Sequence, residues 1–300
     1  MHINSILKLA KPIGFILMLV SLWFLAEVFY QNYSLIIGHF YDPVFLLLFL
    51  IGIFLYSITL LIIVFAWQLQ LNDKYPTIGF LKYFSVIAIS QVGKYLPGNV
   101  FHLAGRFIMA KKLGIKTYHI TNSILFETIL VVISAAIFGF YYLNYSPSSL
   151  DVKFNISILV LIIFGVIFSF FFLDSKESIR DLLTFKKIII ILVSYIFSHV
   201  LIGFIVYLFQ DVLLNLSLPF LLLTSGYVLS FVVGFLTPGS PAGIGVREAI
   251  FLKLMLFEIS ESDALILMIS LRLISVVGDV LLFGIALILK KNTEKMTEVI

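Results

Sequence analysis

Residues 237 to 251 read TPGSPAGIGVREAIF, from Thr237 to Phe251. Pro238 and Pro241, with Gly239, Gly243 and Gly245, interrupt an apolar run that starts at Pro219 and resumes to Phe257. Proline removes a backbone donor and clashes with the preceding turn, and glycine is a poor helix former, so a continuous membrane helix is not expected here. Backbone groups freed by a break in lipid need protein or a water-filled cavity to cover them, which predicts that this break faces the interior. One other stretch has the same character. Gly93 to Arg106, GKYLPGNVFHLAGR, breaks an apolar run at Leu96, Pro97 and Gly98 between Phe80–Tyr95 and Val100–Leu113.

The surrounding composition sets the class. With 61% hydrophobic and 12% charged residues, and a mean hydropathy of +1.14, no water-soluble fold of 300 residues has interior enough to hide the apolar side chains. The chain is therefore expected to be an all-α polytopic membrane protein. The absence of cysteine excludes disulfides, thiolate metal sites and a Cys nucleophile. A net charge of +4 is read as loop lysines that orient membrane spans, so no nucleic acid partner is expected. Lys8 and Lys11 precede a first apolar run that ends in bulky residues at Glu27–Tyr33 with no small-residue cleavage pattern, which reads as a retained span.

Six stretches are long and clean enough to cross a hydrocarbon core of roughly 30 Å. They are Ile13–Phe29, Val44–Trp67, Ile120–Tyr142, Ile156–Leu173, Ile188–Leu208 and Ala264–Leu289. If each broken region is instead a hairpin returning to the side it entered, sixteen of the 20 Lys and Arg share one face. These include Lys74, Lys82, Lys111, Lys112, Lys116, Lys186 and Lys187, while only Lys153 falls in an opposite loop. The positive-inside bias thus predicts six transmembrane helices plus two re-entrant broken helical hairpins, with both termini cytoplasmic in the plasma membrane.

A repeat follows from that count. Residues 1–145 read span, span, hairpin, span, and residues 150–300 read the same from the opposite face, which makes one membrane domain of two candidate inverted halves. Each hairpin tip begins a new half-helix, with Asn99 placed to cap the segment from Val100 and Ser240 or Gly245 to start the one carrying Arg247. Helix N-termini are positive dipole ends, so two opposed tips would offer a place for an anion. Lys94 and Arg106 in the first motif, Arg247 in the second and Arg272 in the last span add full charges, and a guanidinium fork suits phosphate.

The two motifs, GKYLPGNVFHLAGR at 93–106 and TPGSPAGIGVREAIF at 237–251, resemble the paired signatures of the lysylphosphatidylglycerol synthase transmembrane-region family, a flippase-like family. The likeness extends loosely over all 300 residues. It implies an all-helical domain that moves a lipid or lipid-linked head group between leaflets. No soluble synthase domain follows the last span in this sequence, so synthase activity is not carried over. A stand-alone member is expected.

The residues predicted to bind substrate are Lys94, Pro97, Gly98, Asn99, Arg106, Glu127, Pro238, Gly239, Pro241, Gly243, Gly245, Arg247, Glu248 and Arg272. Blander readings stand beside them. Arg247 and the adjacent Glu248 can form a self-neutralising pair, with Glu248 orienting the arginine. Arg272 and Asp279, seven residues apart on one helical face, can satisfy each other. Glu127 reads either as a proton-coupling carboxylate or as a partner to Arg106 or Arg247. His199 is expected to be hydrogen-bonded across helices, and His102 lies beside the first tip.

Three functions compete. The first is a transporter of an anionic phospholipid or polyprenyl-phosphate-linked head group. The second is a non-transporting membrane partner of a lipid or cell-envelope glycan synthase. The third is a membrane enzyme acting on lipid phosphates. For the enzyme, Asp151, Asp174, Asp181 and the Glu258–Asp263 loop offer no ligand spacing, so no metal, cofactor or catalytic residue is expected. A synthase or a second copy of the chain is left open as a protein partner.

Overall fold

The structure, a computed structural model, describes residues 30, 37–96, 100–145, 184–237, 240–256 and 258–298. Among these the chain is helical. In chain order the α-helices are α1 (Pro43–Leu71), α2 (Phe80–Gln91), α3 (Phe101–Lys112), α4 (Thr117–Tyr145), α5 (Phe185–Leu208), α6 (Phe220–Leu236), α7 (Val246–Met255) and α8 (Glu261–Glu298). Helices α1, α4, α5 with its π-helical continuation Phe209–Leu213, and α8 are long and apolar enough to cross a membrane. They coincide with four of the six expected spans. The other two, Ile13–Phe29 and Ile156–Leu173, lie outside the described residues.

Local chemistry accounts for the boundaries. Pro43 opens α1 at a position where its missing N–H is not needed, and the Asp42 carboxylate accepts from the Val44 N–H at 2.9 Å. Helices α2 and α3, of 12 residues each, are about 18 Å long at 1.5 Å per residue and cannot span a bilayer. They lie against each other as the two arms of a hairpin. Helix α7 has only 10 residues and packs on the 17-residue α6 as the second hairpin. Asn99, expected to cap the return arm, lies outside the described residues. Helix α3 begins one residue later than predicted, with Val100 in the cap position and no side-chain cap.

Small residues bring the helices close. Gly203 of α5 meets Thr224 of α6, and Gly278 of α8 receives the Tyr56 ring of α1. Such contacts let backbones approach where lipid offers no hydrophobic drive.

Two apolar clusters are stacked along the bundle. One contains Phe45, Val132, Ile205 and Leu267 with the second hairpin's Phe251 and Leu254. The other contains Val64, Ile120, Ile191 and Leu282 with the first hairpin's Tyr83 and Ile87. The hairpins therefore occupy opposite ends of the bundle. Their tips, the 3-10 turns Val92–Tyr95 and Pro241–Gly243, meet between the clusters within 8 Å at Cα.

Candidate functional site

A cavity of about 160 Å³ lies where the tips meet, and each of the eight helices contributes to its wall. On α1, α4, α5 and α8 the lining residues include Tyr56, Val131, His199 and Ser275. The midpoints of the four spans 43–71, 117–145, 185–213 and 261–290 fall at these same levels, so the cavity sits half-way along every span.

The first hairpin supplies two cations. At its tip Gly93 presses against the return arm, where a Cβ would stand 2.8 Å from the His102 amide nitrogen. This closeness sets Lys94 facing α8. Its ammonium lies 2.6 Å from Asp279 and donates to the Tyr56 hydroxyl at 3.0 Å. Asp279, whose side chain is 0% exposed, also accepts from Tyr56 at 2.8 Å and Tyr95 at 2.6 Å. One turn into α3, His102 and Arg106 share the inward face. Arg106 donates to Glu127 of α4 at 2.5 Å, and its guanidinium sits 5.4 Å from the Trp67 ring centre.

The second tip is built around left-handed backbone. Gly243 has φ +72°, which an L side chain rarely adopts, and a Cβ there would also meet Arg247 Nε at 2.7 Å. On the other side a Cβ at Gly234 would meet the same Nε at 3.0 Å. The Arg247 side chain thus runs through a slot between two glycines. Its guanidinium lies 4.5 Å from the Phe231 ring centre, a cation–π distance, and Phe235 stacks on Phe231 behind it. Gly245 starts α7, and its N–H donates to Glu248 at 2.7 Å. The other Glu248 oxygen accepts from Arg272 Nε at 2.7 Å, while Arg272 also donates to the Ala242 carbonyl at 2.9 Å.

Both ion pairs differ from the simplest reading of the sequence. Glu248 accepts its hydrogen bonds from Arg272 and the Gly245 N–H and reaches its neighbour Arg247 only through a longer-range charge interaction, because consecutive residues on a helix point in different directions. Arg272 and Asp279 do share a face of α8, but seven residues set them about 10.5 Å apart, beyond contact. Each reaches across to a hairpin tip instead. Lys94, Arg106, Glu127, Arg247 and Arg272 line the one cavity. Pro241, Gly243, Gly245 and Glu248 shape the second tip beside it. Pro97, Gly98, Asn99, Pro238 and Gly239 fall outside the described residues.

Of the alternatives for Glu127, the structure gives Arg106 as its partner. His199 hydrogen-bonds the backbone of Val131 across to α4 and stands edge-on to Phe138 and Phe231. His102 is buried in the cavity wall with its Nδ1 unpartnered. Sequence reasoning missed Tyr56, Tyr95, Tyr227, Phe231 and Phe235. A tyrosine in mid-span, such as Tyr56 or Tyr227, signals a hydroxyl in need of a partner, but the phenylalanines carry no signal that separates them from lipid-facing residues. Lys111, Lys112 and Lys116 are exposed, as a solvated loop requires, whereas Lys94 and Arg106 belong to the interior.

Among the described residues Arg247 differs from the other three cations of the cavity in having no carboxylate within 4 Å. Its Nε is buried with no hydrogen-bond partner. The arrangement can hold an anion at mid-depth, by a guanidinium that hydrogen-bonds Tyr227 but that no carboxylate holds.

A multi-pass helical membrane protein with a cation-lined cavity between two broken hairpins is the class these features define. The chain belongs to the lysylphosphatidylglycerol synthase TM region family, whose family model matches residues 12–282. That family is a membrane domain of flippase-like proteins, which fits a lipid-related role in the membrane. No curated protein matches the chain.

Proposed function

We propose that this protein is a lipid transporter. It carries the head group of an anionic phospholipid or a polyprenyl-phosphate-linked lipid through the central cavity while the tails stay in the bilayer. An acyl chain needs no protein path, whereas a phosphate at mid-bilayer is stripped of water at high cost, so a polar site at that depth is what such a protein must supply. The observation that carries the reading is Arg247, a guanidinium at mid-depth with no carboxylate of its own. On this reading the halves are an inverted repeat, the protein lies in the plasma membrane with both termini cytoplasmic, and it transports without altering its substrate.

The test is reconstitution into vesicles containing fluorescent phosphatidylglycerol, with leaflet position read by a membrane-impermeant quencher. Wild-type protein should speed exchange between leaflets. Arg247→Ala should abolish it while leaving the detergent-solubilised protein folded by circular dichroism. The proposal fails if wild-type protein moves neither phosphatidylglycerol nor any other anionic lipid, or if it converts the lipid into a new product.

A further inference from the structure

The charges around the cavity do not cancel. Asp279 holds Lys94 at 2.6 Å, Glu127 holds Arg106 at 2.5 Å and Glu248 holds Arg272 at 2.7 Å. With His102 and His199 counted as neutral imidazoles, four cations against three carboxylates leave one positive charge among the described residues, on Arg247. Two of the three carboxylates, Asp279 and Glu248, are also engaged at both oxygens. Asp279 takes two tyrosine hydroxyls besides Lys94, and Glu248 takes the Gly245 N–H besides Arg272. Neither has an uncommitted oxygen for a ligand's amine.

We infer that the cavity is charge-matched to a lipid head group with one net negative charge, a phosphodiester monoanion. The inference rests on the cavity being the head-group site. A phosphodiester spreads a single charge over two non-bridging oxygens, and two N–H groups of one guanidinium meet that pair directly. One such group neutralises the cavity without disturbing an existing pair. A phosphomonoester, with its second ionisation near pH 6, brings a further charge at higher pH. To balance it, the site must pull Arg272 from Glu248 or Lys94 from Asp279 and leave a buried carboxylate unpaired. A diester that also carries an amine has the opposite fault: its net charge is zero, so it leaves the Arg247 charge unbalanced, and among the described residues both oxygens of Asp279 and of Glu248 are already committed. The site therefore selects on both sides of a net charge of minus one.

The selectivity is measured as binding, apart from transport. Protein purified in a neutral detergent at pH 8 is titrated with dihexanoyl phosphatidylglycerol, dihexanoyl phosphatidate or dihexanoyl phosphatidylethanolamine, and its thermal unfolding midpoint is followed. Phosphatidylglycerol should raise the midpoint at concentrations about tenfold lower than the other two. Arg247→Gln should erase that preference. Glu127→Gln releases Arg106 as a second free cation and should turn the preference toward phosphatidate, and Asp279→Asn should do the same by releasing Lys94.

Equal response of the wild-type protein to the three lipids overturns the inference, as does an unchanged order in whichever of these two variants folds. Stabilisation by deacylated glycerophosphoglycerol as strong as by the lipid gives the site to a soluble diester and overturns the lipid assignment. The order holding while vesicles show no exchange overturns transport and leaves the charge match standing. Exchange with no order does the reverse.

Discussion

Removing either partner of the Lys94–Asp279 pair should destabilise the protein, but not equally. Lys94→Met leaves the Asp279 carboxylate, 0% exposed, with only the Tyr56 and Tyr95 hydroxyls to hold its charge. Breaking a buried pair in this way costs about 3–5 kcal/mol, and two remaining hydroxyl donors place the variant near 3. Asp279→Asn keeps the shape and one acceptor for a tyrosine. It strands Lys94, whose side chain is 15% exposed and can turn toward the cavity, so about 2 kcal/mol is expected. The double variant removes both charges together. It should lose less than the two single losses combined by about 2 kcal/mol, because neither single variant's stranded charge is present in it. Unfolding titrations in mixed micelles of a mild detergent and dodecyl sulfate would read all four proteins. Losses that add within about 0.5 kcal/mol, or a larger loss for Asp279→Asn than for Lys94→Met, would refute the reasoning.

Three further outcomes follow from the tips and the loops. Gly243→Ala should cost about 1–2 kcal/mol from its left-handed φ and push the Arg247 guanidinium from its slot, so vesicle exchange should fall toward the Arg247→Ala level while circular dichroism stays helical. Gly93→Ala should destabilise by about 1–3 kcal/mol in the same micelle titration, since its Cβ would meet main-chain atoms of Phe101 and His102 that cannot rotate away. On this naturally Cys-free chain, Lys112→Cys should react with a membrane-impermeant thiol reagent only from the cytoplasmic side, and labelling from outside would sink the inverted arrangement.

Much of the architecture is legible in the residues because lipid leaves few choices. Uninterrupted apolar runs become α1, α4, α5 and α8, since a helix satisfies its own backbone. The Pro and Gly clusters mark both breaks, and the positions of loop lysines fold them back as hairpins. What the sequence conceals is pairing. Arg247 beside Glu248, and Arg272 in register with Asp279, look like natural partners along the chain. Helix geometry sends the first two in different directions and holds the second two about 10.5 Å apart. The true partners, Glu248 with Arg272 and Asp279 with Lys94, come from separate elements, and no local spacing announces them. The aromatic wall of Phe231 and Phe235 is hidden for a different reason: in a chain with 31 phenylalanines, ring side chains that face a cavity read like those that face lipid.

Helix α8 holds one hairpin tip at Arg272 and the other at Asp279, two turns apart on a single face. A rod clamped in that way behaves as a camshaft. Any roll of α8 about its own axis carries both side chains off the tips in the same sense, so the two clamps open in one stroke. The arm from one end of the bundle cannot be released by this motion while the arm from the other end stays fixed. Opening of this kind is mechanically all-or-none even though the clamps belong to hairpins from opposite ends of the bundle.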